Sequence, residues 1–198
     1  MRVFDFDNTV YNGESALDFF IYYLKKFPLQ VAKYIPEFAR GVIKYKRGSL
    51  SIDEALQSYS SIFKDCCRRF DDIPAEIERF WDKNAHNVKQ FYLDMKQPDD
   101  VILSASPEVV LKVICSRIGV KNVIGSQLDI EKGEIHSICY RENKIGRFKE
   151  HYPDTVIDEF YTDSFNDKPF MDISNDVYLV KKNKIKKIKE NGKYLINI

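Results

Sequence analysis

The sequence is poor in the residues that stabilise a fold from outside its core. Four cysteines in 198 residues, Cys66, Cys67, Cys115 and Cys139, show no paired metal-ligand spacing. A chain of this length buries enough surface to do without disulfide staples, so free thiols are expected. His86, His136 and His151 also lack ligand spacing and read as structural. Charge of one sign is missing too. Against 30 Asp and Glu stand 31 Lys and Arg, a formal net charge of +1, so no global field favours nucleic acid or an anionic surface. Nucleic-acid binding is not expected, and electrostatic recognition has to come from a local site. No apolar run is long enough to span a bilayer; the longest, residues 19–24, meets Lys25 and Lys26 at once. The opening residues include Arg2, Asp5 and Asp7 and no apolar stretch of leader type, so a cytoplasmic protein is the expectation.

What is present is a change of periodicity along the chain. Val3, Phe4 and Phe6 start a short apolar strand that ends in the polar cluster Asp5 to Thr9. From Ser15 to about residue 82 only helical spacing is found: Leu17, Phe20, Ile21 and Leu24, then Val31, Ile35, Phe38, Val42 and Tyr45. Ser51 with Glu54 three residues on predicts a capping box, and Ile73-Pro74 predicts a further helix start. Beyond that the chain alternates. Residues 86–95 predict a helix and 101–103 a strand. A helix capped by Ser106 follows and stops at Gly119. Residues 123–125 predict a third strand, and 128–140 a hairpin turning at Gly133. A short helix over 145–150 precedes strands at 156–161 and 177–180. The lysine-rich tail, with Ile185 and Ile188 interspersed, reads as a solvated edge or terminal helix. Strand–helix alternation predicts an α/β fold with a doubly wound, mostly parallel, Rossmann-like sheet. Residues 1–12 and 83–198 would form that core, and residues 13–82 a small all-helical cap inserted after the first strand.

In open α/β sheets ligands sit at the carboxyl ends of the strands. Those ends carry Asp5-Phe6-Asp7-Asn8-Thr9, Ser104-Ala105-Ser106, and Thr162-Asp163 with Asp167 four residues later; Lys144 begins a short helix. These types suit one reaction. An ionised carboxylate, Asp5, can attack phosphorus. Carboxylate and phosphate repel each other, so a divalent cation has to lie between them, and Mg²⁺ takes one or two carboxylates plus waters and substrate oxygens. Asp5 and Asp163 would supply these. Asp7 is placed to protonate a leaving oxygen and later to take a proton from water. Ser106, Pro107 and Glu108 mark a helix N-terminus near Ser104, where unpaired N–H groups favour an anion. A lysine in a first helical turn opposes the macrodipole, so Lys144 is the candidate phosphate-facing cation, whereas Lys149, in the last turn, suits the dipole and reads as structural.

Four segments in order, Asp5-Phe6-Asp7-Asn8-Thr9-Val10, Leu103-Ser104-Ala105-Ser106, Asn143-Lys144 and Tyr161-Thr162-Asp163-Ser164-Phe165-Asn166-Asp167, resemble the motifs of the haloacid dehalogenase superfamily, in its phosphoserine-phosphatase-like branch. The resemblance implies a Mg²⁺-dependent phosphatase acting through an aspartyl phosphate on a small-molecule phosphate ester. Asp5 would be nucleophile and metal ligand, and Asp7 acid/base with its carbonyl on the metal. Asp163 would be a further ligand, supported by Asp167. Thr9, Ser104, Ala105 and Lys144 would bind phosphate. Asp7 argues against dehalogenase chemistry, because dehalogenases of the superfamily lack that aspartate. Glu14 matches a glutamate that helps phosphoserine phosphatases recognise substrate. The cap arginines of those enzymes are absent, however: Gln57, Ser58 and Tyr59 follow Ile52-Asp53-Glu54-Ala55-Leu56. A substrate carboxylate would lack its bidentate partner, which argues against phosphoserine itself. Two alternatives stay open. A lipid-linked phosphate would suit the basic, aromatic helices that carry Lys25, Lys26, Lys33, Arg40, Lys44, Lys46 and Arg47, although the weak overall charge speaks against membrane contact. The other is a binding protein on the same fold without turnover.

Overall fold

The computed structural model describes residues 1–197, apart from the side chains of Ile52, Asp53, Gln57 and Ser58. In chain order, β1 (Arg2–Phe4) is followed by α1 (Ser15–Lys26), α2 (Pro28–Val31), α3 (Ile35–Lys46), α4 (Ile52–Arg69), α5 (Ile73–Asn84) and α6 (Gln90–Met95). Then come β2 (Val101–Pro107), α7 (Glu108–Arg117), β3 (Asn122–Asp129), β4 (Glu134–Ser137), α8 (Glu142–His151), β5 (Ile157–Thr162) and α9 (Lys168–Asp172). The chain closes with β6 (Ser174–Lys181), β7 (Lys184–Glu190) and β8 (Lys193–Tyr194). The sheet order is β4-β3-β2-β1-β5-β6-β7-β8. β1 pairs in parallel with β2 and β5, and β2–β3 and β5–β6 are parallel too, while β4, β7 and β8 add antiparallel edges. This is the mostly parallel α/β sheet the alternation predicts.

Alternation along β1 sends its side chains to two cores. Val3 packs with Val101, Leu103, Phe148, Phe160, Phe170 and Val177 on one face. Phe4 faces the other, where Phe6, Tyr11 and Trp81 continue into the helical block through Phe20, Tyr22, Tyr23 and Phe70. Trp81 is fully buried, and its indole N–H donates to the Val110 carbonyl at 2.7 Å, tying α5 to α7. The capping box is formed: Ser51 Oγ accepts from the Glu54 N–H at 3.1 Å, and Glu54 returns to the Ser51 N–H. Asp72 caps α5 ahead of Pro74.

Several boundaries differ from expectation. The third strand and the first arm of the hairpin are one strand, β3, because Gly125 lets it run close to β2. A Cβ at Gly125 would lie 2.7 Å from the Ser106 carbonyl oxygen. The helix expected over 86–95 begins only at Gln90, since Val88 and Lys89 pair with Tyr11 and Val10. Ser106 does not cap a helix. α7 starts at Glu108, Pro107 occupies the capping position without a side-chain bond, and the Ser106 hydroxyl goes elsewhere. The lysine tail is neither wholly solvated nor helical. It forms β7, and Lys189 is 3% exposed, its ammonium donating to the carbonyls of Met171, Asp172 and Ser174. All four cysteines are free thiols, as expected.

Candidate active site

At the carboxyl end of the sheet the chain leaves β1 and β5 side by side; the Asp5 N–H donates to the Tyr161 carbonyl at 2.8 Å. The turn after Asp7 bends at Asn8, whose φ of 55° is a left-handed conformation that Asn tolerates. The Phe6 carbonyl accepts from the N–H groups of Thr9, Val10 and Tyr11, and the Lys89 ammonium holds the Asn8 and Lys182 carbonyls. Lys89 had no signal in sequence, because backbone carbonyls leave no pattern.

Lys144, third in α8 and 2% exposed, places its ammonium 2.9 Å from Asp5 Oδ1 and 2.7 Å from Asp167 Oδ1. Burial by itself would lower its pKa, but Asp167 and Asp5 outweigh burial and hold it charged. Asp167 is fixed in turn by the Thr162 hydroxyl, which donates to Oδ2 at 2.8 Å. Asp7 is held by both oxygens. Its Oδ1 accepts from the Ser15 N–H at 2.6 Å, and its Oδ2 from Ser106 Oγ at 2.5 Å; Ser15 Oγ donates to Ser106 Oγ at 2.9 Å. Ser104, fully buried, lies behind Ser106. Its hydroxyl accepts the Ser106 N–H at 3.1 Å and reaches Asp7 Oδ2 at 3.5 Å. Burial pushes the Asp7 carboxyl up, and the Ser106 and Ser15 hydrogen bonds hold part of that back.

Negative charge is in excess here. Burial raises Asp5 well above the usual carboxylate range; Lys144 opposes this, but Asp167, Asp163 and Asp7 repel. Burial, with Lys181 opposing and Asp167 adding, pushes Asp163 up to about 6. Neither Asp163 carboxylate oxygen accepts a hydrogen bond among the described residues, and neither does Asp5 Oδ2. Lys181 donates to the Asp163 carbonyl instead. These spare oxygens suit a hard cation. No three His, Cys, Asp or Glu side chains form a ready-made cation cage among the described residues; Mg²⁺ calls for only one or two carboxylates, with the remaining ligands from carbonyl, water or substrate.

Two cavities meet at Asp7, Glu14 and Tyr45. One, of 450 Å³, is polar and includes Lys46, Arg47, Asp163 and Lys181. The other, of 220 Å³, is almost wholly apolar and runs under the helical block from Ala105 and Ser106. Glu14 accepts from Asn8 Nδ2 at 2.8 Å. Burial and the nearby Asp7 push it up to about 7, with Lys46 opposing. Thr9 is fully buried and lines neither cavity, and its Oγ1 has no hydrogen-bond partner in the protein.

The haloacid dehalogenase-like hydrolase profile matches residues 3–172. The chain belongs to the haloacid dehalogenase-like hydrolase family. A search of the curated proteins finds no match. Among solved structures, a protein of unknown function from Bordetella pertussis Tohama I is 19% identical, with a TM-score of 0.68 over 86% of this chain and 85% of that one. A phosphoserine phosphohydrolase-like protein from Francisella tularensis subsp. tularensis SCHU S4 is 15% identical, with a TM-score of 0.53 over 89% and 86%. A HAD family hydrolase from Salmonella enterica subsp. enterica serovar Typhi is 11% identical, with a TM-score of 0.53 over 87% of this chain and 59% of that one. At these identities the likeness is one of fold.

In this hydrolase the structure gathers Asp5, Lys144 and Asp167, with Asp7 and Asp163 near enough to act on their charges and Ser104 and Ala105 on the adjoining strand end. Sequence reasoning missed Ser15 and the bond from Ser106 to Asp7. The fold pairs residues 91 positions apart here, and a serine beside Pro107 reads first as a cap. Thr162, named from sequence only as the strand end before Asp163, has a hydroxyl that orients Asp167. Tyr45, whose carbonyl accepts from Asn166 Nδ2 at 3.0 Å, links α3 to the loop after β5. The pattern Ile52-Asp53-Glu54 with Gln57 and Ser58 falls partly on side chains outside the described residues.

Proposed function

We propose that the protein is a Mg²⁺-dependent phosphatase that hydrolyses a phosphate monoester through an aspartyl phosphate on Asp5. The reading is carried by one observation: a buried ammonium, Lys144, bridges Asp5 and Asp167 at a sheet end where Asp7 and Asp163 also gather. The carboxylates of Asp5 and Asp163 and the carbonyl of Asp7 would hold the ion. It would neutralise phosphate oxygens and let a carboxylate approach them. On the same reading residues 13–82 act as a cap over a core of residues 1–12 and 83–198.

The steps follow from the positions of the chain's own groups. Asp5 Oδ2, the oxygen not bound to Lys144, attacks phosphorus in line with the ester oxygen. The P–O ester bond breaks, its electron pair passes to the leaving oxygen, and that oxygen takes the proton carried by Asp7. Asp7, raised by burial and oriented by Ser15 and Ser106, is suited to enter the step protonated. Asp7, now ionised, removes a proton from water, and the water oxygen attacks phosphorus. The bond from Asp5 to phosphorus breaks, releasing phosphate and restoring the carboxylate. Lys144 stabilises charge on the transferring group, with Ser104 and Ala105 at the adjoining strand end.

Asp5→Asn keeps the shape and the acceptor toward Lys144 but removes the nucleophile. Turnover of p-nitrophenyl phosphate with Mg²⁺ is expected to fall about a thousandfold or more, with the melting transition retained. Wild-type turnover by a correctly folded Asp5→Asn protein would end the reading.

A further inference from the structure

The two cavities share Asp7, Glu14 and Tyr45 as a common wall. On the phosphatase reading, on which this inference rests, Asp7 protonates the leaving oxygen, so the alcohol must depart along a wall that Asp7 shares. Two routes exist. The polar cavity holds Asp163, Lys46, Arg47 and Lys181, groups suited to phosphate, metal and water. The other begins at Asp7, Ala105 and Ser106 and passes between α1, α3 and α4 on one side and β3 and β4 on the other. Past Asp7 and Glu14 its lining is greasy: Phe20 and Phe38 stack at 3.9 Å between ring centres, and Val42, Tyr59, Ile62 and Ile138 complete it. Among the described residues no Lys or Arg lines it, and positions 57 and 58, whose side chains are not described, carry Gln and Ser.

Protein interiors seldom keep apolar space larger than a water molecule. A cavity of about 150 Å³ lined by aliphatic and aromatic side chains accepts benzene, and this one measures 220 Å³. Its near end is a catalytic carboxyl, so what it receives is attached to the phosphate. We propose that the physiological substrate is a phosphate monoester of an apolar alcohol, whose hydrocarbon portion fills this cavity while the phosphate lies against Asp5 and Lys144. A zwitterionic amino-acid head entering the apolar cavity would find Glu14 for its ammonium but no Lys or Arg among the described lining residues for its carboxylate; Lys46 and Arg47 belong to the polar cavity. The hydrocarbon could belong to a soluble amphiphile or to a lipid drawn from a bilayer. The chemistry in the cavity is the same for both.

The test compares kcat/KM for methyl, butyl, hexyl and octyl phosphate, with glycerol phosphate as a polar control. Burial of each methylene is expected to raise kcat/KM about fourfold until the cavity is full, at least about a hundredfold from methyl to hexyl. Leu17→Trp and Val42→Phe, which narrow the cavity away from the reacting groups, should remove the advantage of hexyl phosphate and leave methyl phosphate turnover and the melting transition unchanged. Equal turnover of methyl, glycerol and hexyl phosphate would overturn the proposal, as would variants that slow every ester alike. Phosphatidate in phosphatidylcholine vesicles distinguishes the source: turnover there above that of octyl phosphate assigns a bilayer lipid, and the reverse a soluble amphiphile. If no ester is hydrolysed, p-nitrophenyl phosphate included, the catalytic reading fails. Calorimetry with hexylphosphonate and methylphosphonate on the Asp5→Asn protein then decides the cavity alone, and equal affinity for the two would overturn its role.

Discussion

Lys144 is the charge on which its neighbours depend. Asp5 and Asp167 both lie within 2.9 Å of it and are nearly sealed from water. Removing one partner of a buried ion pair leaves an uncompensated charge and costs about 3–5 kcal/mol. Lys144→Met is therefore expected to lower the unfolding free energy by that amount, read as a lower urea midpoint at unchanged slope, as well as to abolish activity; an unchanged midpoint would show that the two carboxylates do not need it. Glu14 gives a pH signature. Its pKa is about 7 in the fold, against 4.5 ordinarily, because of burial, Asp7 and Asp163, with Lys46 and Asn8 opposing. Between those values the folded protein binds a proton that the unfolded chain has released, so stability falls as pH rises through the window. Glu14→Gln keeps the acceptor for Asn8 and removes the titration. It should gain about 1–2 kcal/mol over the wild type at pH 8 and little at pH 4.5, measured by thermal melts at both pH values. A constant difference across pH would contradict the assignment.

Between elements, the decisive approach is that of β3 to the junction of β2 and α7. A Cβ at Gly125 would meet the Ser106 carbonyl oxygen at 2.7 Å and the Glu108 backbone nitrogen at 2.9 Å. Backbone atoms cannot rotate aside, so Gly125→Ala has to displace the turn that aims Ser106 at Asp7. Overpacking of this kind costs about 1–3 kcal/mol, and loss of the Ser106 hydrogen bond should lower kcat about tenfold or more with KM little changed. Stability and kcat measured on one preparation test both effects. An alanine protein with wild-type kcat would show that Ser106 is not needed on Asp7. The cavity that receives the hydrocarbon is also a property of element packing, since α1, α3 and α4 contribute one wall and β3 and β4 the other.

Over the whole molecule, the carboxylates of Asp5, Asp7, Asp163 and Asp167 repel one another. A divalent cation that binds Asp5 and Asp163 only in the folded state should therefore stabilise the protein. At a hundredfold over its dissociation constant the gain is about 2.7 kcal/mol, several degrees in Tm for a chain of this size. Mg²⁺ should raise Tm in the wild type and much less in Asp163→Asn; equal shifts in both would remove Asp163 from the ligand set. No helix among the described residues is long and apolar enough to cross a membrane.

Local chemistry made much of this legible in sequence. Apolar spacing predicted the α/β order and the helical run after β1, and the capping box at Ser51 and the start at Pro74 lie where near-neighbour patterns put them. The polar residues at strand ends named Asp5, Asp7, Lys144, Asp163 and Asp167, because a strand that stops in carboxylates leaves them at the sheet edge. Tertiary structure alone decided what depends on distant pairs: Ser15 and Ser106 on Asp7, Thr162 on Asp167, Lys89 and Lys189 on backbone carbonyls, and β3 drawn onto β2 through Gly125. It alone decided the apolar cavity as well. Periodicity tells that a helical face is greasy, but whether that face packs against another or leaves room beside a reacting group is fixed only when the elements come together.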